Sequence, residues 1–565
     1  MLVELSAAAV GALTKLSRRA PLVVAAAAAV MAVMIVLRKP SHKLDREVIK
    51  KGREVPPRMP APPIIGNLIP FGIDSAGFAA KGHAVYGDVF ATTVLSHNFV
   101  FLNGKPNITR FMTASTRELS FSKAYEVFLG ALLGHEEFTD TGKDVFAALT
   151  SSRIDAMTPA LLDVTRRHIA RRMQGSGGGV IDAGVFFNEL VAVMSVTMVC
   201  GADFGLEHGP EFARLLHIFE SDLSVFGNFL PFETPSMRRR KAARLAMYDL
   251  VIQHARRRIA KLKNTSMSAA DDYFDRLVHA SYYRRSDRES EAENARIASE
   301  FENDVAVVDL ERLSDEERVT KVASAAFGLI FAAHTNTAAS SMAHLGEVLR
   351  RPDCVEMLRR DFDEHLGADP IATFEAYLAR VNAAPRDKPK EASPFMQMRD
   401  SHRILSETMR VYSRGGLWRR AMEDVELENG MVIPKGSFVT VTGHLVATNP
   451  ALYGADGDRW DPERLTRPAG RRLAGDEVGQ FGGKLDDLQS PLVRAADMQM
   501  AAFGAGRHLC PGRFLAYRII TQMTAQLLRG HDLEIEEAFS RWWIVPLGGT
   551  SRPVGSFRLR WTPRG

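Results

Sequence analysis

A decapeptide near the C-terminus, Phe503-Gly504-Ala505-Gly506-Arg507-His508-Leu509-Cys510-Pro511-Gly512, holds the residues best suited to chemistry. Glycines at 504, 506 and 512 permit positive φ and let the backbone approach a flat ligand with no Cβ in the way. Cys510 stands just before the helical pattern opened by Arg513-Phe514-Leu515-Ala516, where unpaired amides and the helix dipole favour a thiolate. One thiolate so placed suits the axial position of a haem iron. A structural cysteine in a loop is the alternative for any lone Cys. Zinc is a poorer third, because His508 and Cys510 have no further clustered ligands nearby.

A second polar group, Phe331-Ala332-Ala333-His334-Thr335-Asn336-Thr337, sits midway along a long helical pattern. Small residues beside hydroxyl and amide groups would leave space for a haem, or serve a helix–helix contact. The S-x-x-E form of Ser314 to Glu317 is a capping box that opens this helix, and it stops before Pro352. At about 1.5 Å per residue it is on the order of 50 Å long, enough to cross a domain. Phe514 to Leu528 forms the helix after the cysteine. Asn429-Gly430, flanked by Val425, Leu427, Val432 and Ile433, predicts a hairpin. Residues 89–94 and 99–102 read as two strands joined through Ser96-His97-Asn98. The span from Ala147 to about Leu262 is mostly helical, and its clusters Arg238–Lys241 and Arg256–Arg258 read as a solvated face, with anionic lipid or an acidic redox partner as the other use. Ser281 to Asp304 is polar and aperiodic, a flexible loop by composition.

The 565 residues, 46% hydrophobic and 25% charged, are those of an ordinary globular protein, and a net charge of +5 excludes a dedicated nucleic-acid surface. Cys200, Cys354 and Cys510 are too few and too far apart for a disulfide framework, which points to a reducing, cytosol-facing body. Pro21 to Leu37 is an unbroken apolar run of seventeen residues, at the short end for a transmembrane helix. A signal peptide or a mitochondrial presequence is the competing reading. The segment from Arg38 to Glu54 carries seven basic and three acidic side chains, against three and one before the run, which puts the bulk of the chain in the cytosol. The expected layout is a short lumenal segment (1–20), an anchor (21–37), a basic and proline-rich hinge (38–72) and a catalytic domain (73–565).

The cysteine loop resembles the F-x-x-G-x-x-x-C-x-G haem signature of the cytochrome P-450 family, with His508 where Arg is usual. Other stretches stand in that family's order: the proline-rich segment, the distal motif, Glu407-Thr408-Met409-Arg410 as its E-x-x-R, and Pro462-Glu463-Arg464-Leu465 as its P-E-R-F. The likeness spans about residues 55 to 565. It implies a mainly α fold with a smaller β region, preceded by an N-terminal transmembrane helix, around a buried haem b. Cys510 would be the axial ligand, with Phe503, Gly504 and Gly512 around it and His508 and Arg419 toward the haem propionates. Glu407, Arg410 and Arg464 would form the proximal support network. Counting back from Pro352 places Asn336 at the family's distal Thr position and Thr335 at its acid position. A register one residue over places Thr335 at the Thr position instead. Asn336 can order a water but is a poor proton donor. Phe331, Ala332, Ala333 and Leu547 would border the substrate.

What the resemblance implies functionally is a monooxygenase of the endoplasmic reticulum membrane (or, alternatively, of mitochondria) acting on a lipophilic substrate. Electrons would come from NADPH through an NADPH–cytochrome reductase, with cytochrome b5 as a second donor. His508 and the distal motif resemble sterol 14α-demethylases, cholesterol 7α-hydroxylase and prostacyclin synthase, which makes a sterol or steroid the expected substrate. A lipid peroxide isomerase or dehydratase is the runner-up, and a non-catalytic haem-binding protein the third reading.

Overall fold

The structure, a computed structural model, describes residues 42–62, 65–133, 149, 151–175, 177–221, 234–262, 273–278, 314–384, 391–412, 415–464, 502–504, 509–538, 541–544, 551–554 and 557–564. The anchor run Pro21–Leu37 and the Ser281–Asp304 loop lie outside the described residues, as do His508 and Leu547.

Ten helices carry the framework used below: α1 (Phe121–Leu133), α2 (Ser151–Arg172), α3 (Ala183–Cys200), α4 (Ala202–Ser221), α5 (Pro235–Leu262), α6 (Asp315–Leu349), α7 (Pro352–Leu366), α8 (Pro370–Ala383), α9 (Arg399–Tyr412) and α10 (Arg513–Gly530). The expectation of a mainly α body holds. α3 is apolar around nearly its whole circumference, and such a helix must be covered on all sides. It is packed by α2, α4 and α6 and lies at the centre of the largest core cluster. Among the described residues it is the one helix long and apolar enough to cross a membrane, yet it is mostly buried in the protein. Asp182 caps its start by accepting from the Val185 amide at 2.9 Å. The capping box of α6 is present, Ser314 accepting from the Glu317 amide at 3.3 Å and Glu317 from the Ser314 amide at 2.8 Å.

Twelve strands form four small sheets among the described residues: β1 (Val89–Val94), β2 (His97–Leu102), β3 (Leu119–Ser120), β4 (Gly179–Asp182), β5 (Gly416–Ala421), β6 (Val425–Glu426), β7 (Val432–Ile433), β8 (Phe438–Thr442), β9 (His531–Glu537), β10 (Arg541–Ile544), β11 (Ser551–Val554) and β12 (Arg558–Pro563). The largest runs β1-β2-β8-β5-β3 and brings β5 from the C-terminal half into contact with the N-terminal strands. The expected Asn429-Gly430 turn joins β6 to β7, with Gly430 at φ 83°. The β1–β2 turn is tighter than the sequence suggested. Leu95 takes φ 53°, which closes the hairpin in two residues and pairs Val94 with His97.

The 42–62 part of the basic and proline-rich segment lies along this sheet. Met59 donates to Ala91 and Ala91 to Pro57, both at 2.8 Å. Arg58 bridges Asp45 (3.0 Å from Nε), Thr93 (3.1 Å) and Asn98 (2.8 Å). The basic clusters of α5 divide. Arg238, Arg239, Lys241, Arg256 and Arg257 are exposed, as a solvated face requires. Arg240 is buried, and Arg258 pairs at 3.1 Å with the fully buried Asp275. The Asp275 carboxylate offsets the hydration that the Arg258 guanidinium loses there.

Candidate active site

Cys510 ends a loop whose shape is set by its backbone. Its amide donates to the Phe503 carbonyl at 2.8 Å, closing the loop, and Gly504 takes φ 73°, a conformation open to glycine. Gly512 differs from expectation, because it has φ −81° as the N-cap of α10 and needs no left-handed freedom. Phe503 packs against Tyr517 of α10, ring centroids 5.8 Å apart. The other thiols, Cys200 and Cys354, are fully buried, whereas Cys510 is half-buried. Burial pushes its thiol up, while the amides of Gly512 and Arg513 and the Arg513 charge pull it back down. Donors aimed at a sulfur in an apolar surrounding suit a thiolate bound to a cationic metal centre.

Behind this loop the E-x-x-R spacing becomes a bidentate pair. Arg410 donates to Glu407 at 2.8 and 2.7 Å from two nitrogens. Arg464 adds a third bond to Glu407 at 3.1 Å and reaches the Tyr453 carbonyl at 2.6 Å. The Asp461 amide donates to the same carboxylate at 3.0 Å. All three side chains are buried. The carboxylate thus accepts four N–H bonds, three at Oε1 and one at Oε2, the kind of satisfaction under which a buried ion pair is tolerated. The unit ties α9 to the Pro450–Arg464 stretch; α9 in turn packs on α6 and α10.

On α6, Ala332 and Asn336 are exposed one turn apart, in the middle of a helix whose other faces are covered. Gly328, a turn earlier, has open space where a Cβ would lie. This strip of small side chains is the face a flat ligand could approach. Phe331 is half-buried, edge-on to Phe219 at 5.7 Å, and Ala333 is also half-buried. His334 and Thr335 point elsewhere. His334 Nδ1 lies 2.9 Å from Glu220 of α4, its Nε2 3.0 Å from the Asn188 carbonyl of α3, and Thr335 donates to the same Glu220 oxygen. A carbonyl only accepts, so Nε2 carries a proton. Glu220 was not among the expected residues. It lies 114 positions from His334, at the end of another helix, and no local spacing marks it.

Arg419 is 2% exposed, donates to the Phe111 carbonyl and lies 4.3 Å over the Phe111 ring. Among the described residues no carboxylate is within ion-pair distance, and burial drags the guanidinium down to about 9. A buried cation without a counter-charge suits an anionic group supplied by a ligand. Half-buried thiol, small-residue face and unpaired cation together fit a haem with its carboxylate tails.

The sequence model of the Cytochrome P450 family matches residues 56–546. A lanosterol 14-alpha demethylase of Cunninghamella elegans is 22% identical over 517 residues, covering 88% of each chain. The cytochrome P450 monooxygenase pynD of Aspergillus niger is 24% identical over 511 residues, 86% of this chain and 88% of the relative. Among solved structures, the retinoic-acid-bound cyanobacterial CYP120A1 overlays with a TM-score of 0.62 at 15% identity, covering 91% of this chain and all of that one.

Proposed function

Because the chain belongs to the cytochrome P450 family, we propose that it is a membrane-anchored monooxygenase that oxidises a sterol or steroid. As a member it is an oxidoreductase that binds haem b and draws electrons from NADPH through a reductase. Bound haem supplies the redox and oxygen chemistry that no side chain can perform. Cys510 would hold the iron, in a loop whose Gly512 and Arg513 amides favour negative charge on the sulfur. Arg419, with His508, takes the haem carboxylates. Glu407, Arg410 and Arg464 hold the proximal frame in place.

The observation that carries monooxygenation is the Glu220–His334–Thr335 cluster. Breaking dioxygen with insertion of one atom consumes protons, whereas rearranging a peroxide consumes none. Asn336 alone is a poor source, and its side chain serves better to order water at the open face. His334 and Thr335 share a carboxylate next to the open strip, which sets a group able to pass protons beside Asn336 in either register. This favours the monooxygenase over the peroxide isomerase reading.

The sterol assignment leans on the lanosterol demethylase, alike over most of both chains. Phe331, Ala332, Ala333 and Leu547 would border the substrate. Pro21–Leu37 would anchor the chain in the endoplasmic reticulum membrane with the body cytosolic, facing NADPH–cytochrome reductase and cytochrome b5. Difference spectra across sterols and fatty acids test the substrate, and a sterol is expected to give the spin shift. Silence with every sterol overturns the assignment. The reduced carbon-monoxide spectrum tests the ligand: Cys510→Ala is expected to abolish the red-shifted Soret band, and a surviving band would show another residue on the iron.

A further inference from the structure

We infer that His344 is a positioning residue, which sets how the open face of α6 stands relative to the frame built on Glu407. The imidazole lies about two turns beyond Asn336 on α6 and is fully buried. Its Nδ1 is 3.2 Å from Thr408 Oγ1 on α9. The same oxygen accepts the Trp460 indole N–H at 3.0 Å, and the Thr408 hydroxyl donates to the Ile404 carbonyl at 3.2 Å. Thr408 thus receives from both rings, and His344 donates through Nδ1. Thr408 and Trp460 are the chain neighbours of Glu407 and Asp461, which are bonded to each other at 3.0 Å. One buried hydrogen bond therefore runs from the helix that carries Asn336 to the frame that holds Glu407.

This bond gives register more than strength. Burial pushes His344 down to about 3, so the ring stays neutral, and its Nε2 has no partner among the described residues. A leucine would fill similar space without either cost. The contact around it is apolar, made by Ala343, Val411, Tyr412 and Trp460, and such a surface packs without choosing one register. A single polar contact there fixes the choice. The Glu220 group cannot do this, because it ties α6 to α3 and α4 and not to the frame. Side chains reach about 5–6 Å from a helix axis, so a rotation of about 10° carries the tip of Asn336 about 1 Å. Misplacement on that scale can slow a reaction about 100-fold. His344 acts through α6 on Asn336 and the open strip, and touches no reacting atom.

The test uses the full-length, haem-loaded protein and its His344→Leu and His344→Asn variants, since an Asn amide can place an N–H where Nδ1 stands. Each is read by the C–O stretching frequency of the reduced carbon-monoxide complex, by the haem-to-protein ratio and by product formed per NADPH. His344→Leu is expected to keep its haem and its red-shifted Soret band, to shift the C–O stretch, and to lose product per NADPH about tenfold. His344→Asn is expected to restore both. A wild-type stretch and yield in His344→Leu, or equal losses in the Leu and Asn variants, would overturn the proposal. If His344→Leu fails to fold, Thr408→Ser against Thr408→Val decides it, since only Ser keeps the hydroxyl. A shifted stretch in Val alone supports the role, and the same stretch in both overturns it. The proposal rests on the monooxygenase reading with Cys510 on the iron, and the two fail apart. A wild type that forms no product with NADPH removes that reading, while the C–O stretch still tests His344. A productive wild type with an unmoved stretch in His344→Leu removes only the role of His344.

Discussion

The proximal and distal sides of the site are held by opposite strategies. The Glu407–Arg410–Arg464 unit is saturated: one carboxylate takes four N–H donors, and all three side chains are buried. Nothing in it is left to move. The Glu220–His334–Thr335 group is spread over α4 and α6, shares protons between three side chains, and borders a strip of α6 that remains open. A frame that must hold an iron ligand in place gains from completed hydrogen bonds. A group that must give up a proton and recover it cannot be completed in that way.

Breaking the proximal side should therefore cost stability, and breaking the distal side should cost rate. Glu407→Ala takes the shared carboxylate from two buried guanidiniums, leaving Arg410 with backbone carbonyls and Arg464 with Asp456, at about 3–5 kcal/mol. Its haem-to-protein ratio and denaturant midpoint should both drop; a variant that holds haem normally would dissolve the distinction. Glu220→Gln should fold and bind substrate as the wild type does, with turnover down about 100-fold and NADPH spent without product. Measuring product formed per NADPH separates the two registers of the distal motif. If Asn336→Ala loses more than Glu220→Gln, the proton route runs through the amide after all.

The smallest effect per group follows from buried histidines on both sides. Burial pushes His344 of α6 down to about 3 and His402 of α9 down to about 4, and His168 and His254 fall likewise to about 4 and about 3. All four are neutral in the folded protein at pH 6.5, while the unfolded chain takes up their protons below that pH. Stability is then fully present above about 6.5 and is lost as pH falls toward the folded values, at about 1.4 kcal/mol per pH unit for each proton. Denaturant midpoints between pH 6.5 and 4.5 check the sign, and His344→Gln should flatten the slope by one proton. A level profile would show that these side chains charge in place.

What the sequence revealed follows the same division. The Cys510 loop and the Glu407–Arg410 pair depend on neighbours a turn apart, so their spacing alone announces them. Gly430 and the Ser314–Glu317 cap are legible for the same reason. Glu220 is not, because the helix that brings it to His334 is placed by apolar packing that no short motif records. Arg240 and Arg258 look like the cations beside them in sequence and differ only in what the fold sets opposite them. Arg419 is intermediate: the family resemblance singled it out, but only its burial without a counter-charge says why an anion should go there.

The apolar helix α3 has a consequence for how the chain is made. Its eighteen residues span about 27 Å, close to the hydrocarbon thickness of a bilayer. If Pro21–Leu37 anchors the chain as proposed, the chain carries a second stretch that lipid would also accept. During synthesis α3 has two competing solvents, the bilayer beside it and the interior that α2, α4 and α6 provide. Since α6 emerges more than a hundred residues after α3, the early partners α2 and α4 must cover it first. Under that proposal, the order of helices along the chain is part of what would keep the body on one side of the membrane.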